Sequence, residues 1–109
     1  MASQERTNVK ISGASTNNTV VAAVSGHKIR VLSYVVVGSG TYTATFRSFD
    51  GSSTYTVLTG AMTLVAGLPV VKPLEVEGHF ETLSGEALVL TLSATTQTSG
   101  HMTYALIPA

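Results

Sequence analysis

Apolar and polar residues in this chain alternate with a period of two, in short runs that recur about every ten residues. The clearest run covers residues 41–48. There Tyr42, Ala44 and Phe46 share one face of an extended segment, and Thr41, Thr43, Thr45 and Arg47 share the other. No longer window carries the 3.6-residue apolar period of a helix. The pattern predicts strands at residues 7–11, 19–24, 27–37, 41–48, 54–58, 79–83, 88–93 and 101–107, about eight main strands. One further short strand is expected near residues 62–65, inside an irregular crossing segment at residues 59–73 that holds Gly60, Gly67, Pro69 and Pro73. Gly38-Ser39-Gly40 reads as a tight turn, and Asp50-Gly51 is a strong hairpin signal. Close turns in mid-chain with longer connections elsewhere predict an all-β, single-domain antiparallel β-sandwich of jelly-roll or Greek-key type.

The third strand breaks the alternation. Its first half is amphipathic, with Lys28 and Arg30 on one face and Ile29 and Val31 on the other. From Leu32 onward both faces are apolar: Leu32, Tyr34 and Val36 on one side, Val31, Val35 and Val37 on the other. A strand apolar on both faces is covered twice, by the core and by something else. That cover is either another subunit or a loop or N-terminal segment of the same chain. Leu32, Tyr34 and Val36 are accordingly the candidate subunit interface, and left bare this stretch would be prone to aggregate.

Composition narrows the partners. The chain has 109 residues, enough for one modest core. It divides into an N-terminal arm at residues 1–6, a candidate for ordering against a neighbour, and one domain at residues 7–109. Only 11% of residues are charged, so Ser and Thr, 28 positions together, make most of the surface. Six basic and six acidic side chains cancel, and no Lys/Arg run exists, which argues against nucleic acid and against an anionic membrane surface as partner. The absence of cysteine removes disulfides, thiolate metal sites and a Cys nucleophile. Residues 1–7 carry no apolar stretch of the kind a signal peptide needs, and Val35-Val36-Val37 is far too short to span a bilayer. The expectation is a neutral protein folded in a cytoplasm, for which the Asn17-Asn18-Thr19 sequon has no use.

Candidate chemistry is sparse. All three histidines, His27, His79 and His101, directly follow a glycine. Three His ligands can hold zinc, but no H-x-H or H-x-x-x-H spacing is present. The Gly-His pairs read instead as punctuation, each Gly closing a turn and each His opening a strand. Glu75, Glu77 and Glu81 surround His79, and strand alternation would set His79 and Glu81 on one face as an acid–base pair or, more ordinarily, as an exposed, solvated pair or a rim ion pair with Lys28 or Arg30. No nucleophile elbow, P-loop or dinucleotide fingerprint occurs. A sugar platform normally uses exposed aromatic residues. Trp is absent and Tyr42 and Phe46 point inward, which leaves Tyr34, Tyr55 and Tyr104, each better suited to packing. The expectation is a protein that is not an enzyme, with no catalytic, metal or cofactor site.

The runs NTVVAAVSGHKIRVLSYVVV, LTGAMTL and GHFETLSGEALVLTLSATTQTSGHMTYALI resemble those of small virion proteins from tailed bacteriophages. The resemblance runs from about residue 7 to residue 107 and rests on the order of turns and strands, with no functional motif. It implies a compact β-sandwich subunit, commonly a homotrimer, made in the host bacterial cytoplasm and placed on the capsid exterior of the virion. There it would serve as a decoration or cement protein with the major capsid protein as partner. The alternative it implies is a tail or head-fibre module that binds a host-surface glycan or receptor. No family residue transfers to this sequence as a binding residue.

Overall fold

The computed structural model describes residues 6–108. Of the arm at residues 1–6, only Arg6 lies among them, and it opens the first strand. Ten strands form: β1 (Arg6–Gly13), β2 (Asn17–Val21), β3 (His27–Gly38), β4 (Tyr42–Phe49), β5 (Tyr55–Val57), β6 (Met62–Leu64), β7 (Val70–Lys72), β8 (Phe80–Glu81), β9 (Ala87–Leu92) and β10 (Thr98–Pro108). Their antiparallel pairing is nested. β1 lies against β10, β2 against β9, β3 against both β7 and β8, and β4 against both β5 and β6. The chain is thus one long hairpin with its tip near Asp50, rolled so that successive rungs fall in alternate sheets. Two further pairings, β10 with β3 and β9 with β4, close the sheets. Sheet A runs β1-β10-β3-β7 with β8 also on β3, and sheet B runs β2-β9-β4-β5 with β6 also on β4. The expected β-sandwich is therefore present, and its strand order is that of a jelly roll.

Alternation explains which residues go inside. In β4 the expected Tyr42, Ala44 and Phe46 are buried, and Leu88, Leu90 and Leu92 of the neighbouring β9 lie beside them on the same inner face of sheet B. From sheet A come Ile29, Val31, Tyr34 and Val36 of β3, Met102 of β10 and Ile11 of β1. Tyr34, Phe46 and Phe80 form an aromatic nucleus, with ring centres 5.1 Å apart for Tyr34 and Phe46 and 5.2 Å for Phe46 and Phe80. Each such side chain contributes about 1.5–3 kcal/mol by leaving water.

The face assignment of β3 needs correction. A register shift between Thr103 and Tyr104 pairs Thr103 with Ser33 and Tyr104 with Val31, so Leu32 is an extra residue in the ladder. Such a bulge reverses the phase of alternation. Val31 consequently joins Tyr34 and Val36 on the core side, and Val35 and Val37 face outward. The freed backbone groups are used, because the Leu32 carbonyl accepts from the Glu75 amide at 2.9 Å and the Val31 carbonyl from the His79 amide at 2.8 Å. Two other differences concern connections. Gly38-Ser39-Gly40 is a corner between sheets, since β3 and β4 lie in different ones. The irregular segment 59–73 holds a second strand, β7, which carries the chain from sheet B to sheet A.

Candidate interaction surface

Glycine explains two of the three histidine positions as expected. Gly26 and Gly78 have φ of 75° and 83°, and His27 opens β3 while His79 directly precedes β8. The third differs. Gly100 and His101 lie inside β10, where Gly100 pairs with Val36. The His27 ring donates from Nδ1 to the Ser25 carbonyl at 3.0 Å, and His79 donates from Nε2 to the Pro73 carbonyl at 2.9 Å. His101 sits on the outer face of sheet A between Lys10 and Val35. Among the described residues no group of three His, Asp or Glu side chains is placed to hold a metal ion.

His79 and Glu81 do not pair. Glu81 is bound to the Arg30 guanidinium, the ion pair foreseen as the ordinary use of that carboxylate. Asp50 accepts the backbone N–H groups of Ser52, Ser53 and Thr54 at 2.8–3.1 Å, and these bonds, that of Ser52 first and Thr54 next, hold its carboxyl down at about 2. Its work is to shape the turn.

Leu32, Tyr34 and Val36, the candidate interface, are 1%, 4% and 0% exposed within the single chain. Their burial is intramolecular. Tyr34 and Val36 are part of the central core, and Leu32 lies at the bulge where the loop before β8 is tied to β3. Burial also pushes the Tyr34 phenol up from its ordinary value. The surface that is left bare lies elsewhere. Of eight exposed large apolar side chains among the described residues, Val65, Leu68, Val71, Leu74 and Val76 fall in one stretch, with Leu68 and Val76 each 62% exposed. This stretch leaves β6 in sheet B, crosses to sheet A, and from Val71 to Val76 forms the margin of sheet A beside β3. Sequence reasoning placed residues 59–73 in a crossing loop with a short strand near residues 62–65, and assigned no role to Leu74 or Val76. Its signal was present in the three-residue spacing of Val65, Leu68, Val71 and Leu74, interrupted by Pro69 and Pro73, which suits neither a strand nor a helix packed on a core.

The outer faces of the two sheets differ in character. On sheet B, Thr43, Thr45 and Arg47 point outward from β4 as expected, and Phe49 stacks on Tyr55 with ring centres 4.2 Å apart. The Arg47 guanidinium lies 5.9 Å from the Tyr55 ring centre, and its Nε is buried without a hydrogen-bond partner. Of the other tyrosines, Tyr42 is buried and bonds Thr98 Oγ1 at 2.7 Å, and Tyr104 packs partly buried against the core. A hollow of about 30 Å³ opens between β1 and β2, lined in part by Ser12, Gly13, Asn18 and Thr19. That is room for about one or two waters, against the roughly 300–1,000 Å³ of a small-molecule site.

Comparison with known proteins gives no match: no family model fits the chain, and neither a curated protein nor a solved structure matches it.

Proposed function

We propose that this chain is a structural subunit of a tailed-bacteriophage virion, a decoration or cement protein seated on the outside of the capsid and held there by contacts with capsid subunits and sister copies. The observation that carries this reading is the exposed apolar stretch from Val65 to Val76, which covers the link from sheet B and the margin of sheet A, on a hydrogen-bonded jelly roll. Apolar side chains gathered at one sheet margin favour burial against another protein surface. The likeness of the strand-and-turn runs to phage virion proteins supplies the kind of partner. The mechanism is mechanical. Each subunit buries apolar area against its neighbours, and repetition over a symmetric shell turns modest contacts into strong retention.

The test is co-sedimentation of the purified protein with empty shells assembled from the major capsid protein of the phage that carries its gene, followed by heating of the shells. Saturable binding and a raised shell-disruption temperature are expected. Failure to sediment with such shells overturns the reading. The stacked Phe49–Tyr55 pair with the Arg47 guanidinium beside it favours one second reading, a fibre or tail module whose sheet B face binds a glycan. In that case a glycan array gives signal that Tyr55→Ala abolishes, and shell binding is absent.

A further inference from the structure

Sheet A separates charge between its two margins. Its outer face is crossed by two complete rows of paired residues. One runs Arg6, Ala105, Arg30, Glu81 and the other Lys10, His101, Val35, Val71. Each begins with a cation on β1. At the far margin the rows end on Glu81 and Val71, and the loop between β7 and β8 carries Glu75 and Glu77 with Leu74 and Val76, all four exposed. Among the described residues, β1 has β10 as its only strand partner, so its other backbone edge is open, and β7 is paired only with β3. One margin is therefore basic and polar, and the other acidic and apolar, with Lys72 the one cation there.

We propose that the β7–β8 margin docks against the β1 margin of a second copy of this chain in the same orientation, head to tail. This rests on the structural-subunit reading and names the partner of the apolar margin. Three observations select a second copy in this arrangement. The first is strand direction: β1 is antiparallel to β10 and β10 to β3, so β1 runs parallel to β3, whereas β7 runs antiparallel to it. A neighbour displaced along the rows thus brings its β1 antiparallel to β7, the direction in which both open edges form a ladder. The second is charge. The same displacement continues the Glu81 row with the second copy's Arg6 and the Val71 row with its Lys10, with Glu75 and Glu77 in the interval. Pairing like margins would instead set cations against cations or glutamates against glutamates. The third is apolar cover: Val71, Leu74 and Val76 lie along the line of approach and are removed from water by it. Unlike margins give a heterologous contact, which closes into a ring when the rotation per copy permits and otherwise extends.

Light scattering and mass photometry on the full chain test this. The wild type is expected to be a multiple of the subunit at an ionic strength of about 0.01 M. Association should weaken at least about tenfold on approaching 1 M, where the screening length falls from about 30 Å to about 3 Å. Glu75→Lys with Glu77→Lys, and separately Arg6→Glu with Lys10→Glu, are each expected to reduce association at least about tenfold. An equimolar mixture of the two double variants should restore a complex, because reversed charges then face each other. A monomeric wild type, unchanged association in either variant, or no complex in the mixture overturns the proposal. Should a variant fail to fold, amide exchange on the wild type decides. Protection of β1 and β7 amides that grows with protein concentration supports the contact, and its absence there overturns it. Shell binding reads out separately: a monomer that still decorates shells removes this contact alone, and a salt-sensitive oligomer that ignores shells removes only the virion role.

Discussion

Gly100 shows how one residue can be fixed by two constraints at once. Its φ is +149°, which side-chain-bearing residues rarely adopt, and a Cβ placed there would lie 1.8 Å from the Val35 carbonyl oxygen of the neighbouring strand. Gly85 has the first constraint without the second, with φ +73° and nothing within 4 Å of its Cβ position. Gly85→Ala is expected to cost about 1 kcal/mol, the strain of a left-handed backbone. Gly100→Ala adds displacement of a central ladder and is expected to cost at least about 2 kcal/mol, a fall in Tm of roughly 8–16 °C. Thermal denaturation of the pair followed by circular dichroism checks the ranking. Equal shifts would show that the close approach to Val35 relaxes freely. Asp50 is the other residue with a sharp expectation. Its folded pKa of about 2 lies below its ordinary 3.8, so its contribution is complete above about pH 4 and is lost as pH falls through 2. Asp50→Asn should therefore flatten the acid limb of stability between about pH 4 and pH 2, seen in urea midpoints, and change little of its slope above pH 5.

At the scale of elements, Leu32 separates an intramolecular role from an interface role. It is 1% exposed in the single chain, so Leu32→Ala is expected to cost about 2–5 kcal/mol in unfolding free energy. Denaturant titration measures that cost, and light scattering should show association unchanged, the reverse of the pattern for an interface residue. The long strand containing Leu32 was legible in sequence from its Val and Ile content, and the inward set of β4 from strict alternation. The faces of β3 were not legible, because the register of β10 decides where the bulge falls, and a run apolar on both sides looks the same in either phase. Loss of the His27, His79 and His101 trio as a site followed from similar reasoning. His27 does open a strand and His79 stands one residue before another, but Gly100 is demanded by a neighbouring carbonyl that only the fold brings near. The charge separation across sheet A was invisible for the same reason, since Arg6 and Lys10 of β1 and Glu75, Glu77 and Glu81 beyond β3 are far apart in sequence and reach opposite margins of one sheet only through the pairing of β1, β10 and β3. Buried hydroxyls belong to this class too. Ser48 Oγ donates to Glu86 at 2.7 Å and accepts the Leu83 amide at 3.0 Å, fastening the end of β4 to the turn before β9. Nothing in its sequence surroundings sets Ser48 apart from an exposed serine.

Over the whole molecule, nesting determines how the fold must be reached. Only the tip of the long hairpin, β4 with β5 and β6, joins strands close in sequence; every later rung closes a longer loop, ending with Arg6 against Ala105. Each such closure costs entropy before it gains packing, so a nested all-β chain is expected to refold on a scale of roughly milliseconds to seconds. β10 completes both the core and the sheet, because it lies between β1 and β3 and brings Met102 into the centre. Removing it would leave β1 with no strand partner among the described residues and expose the flank of β3. A chain ending after residue 97 is therefore expected to lack the protected amides and cooperative transition of the full chain, although β4, β5, β6 and β9 remain in sequence. Stopped-flow refolding and hydrogen exchange measure both expectations. Refolding faster than about a millisecond, or native-like protection in the truncated chain, would show that sheet B folds without the closing strand and that the nested order does not govern assembly.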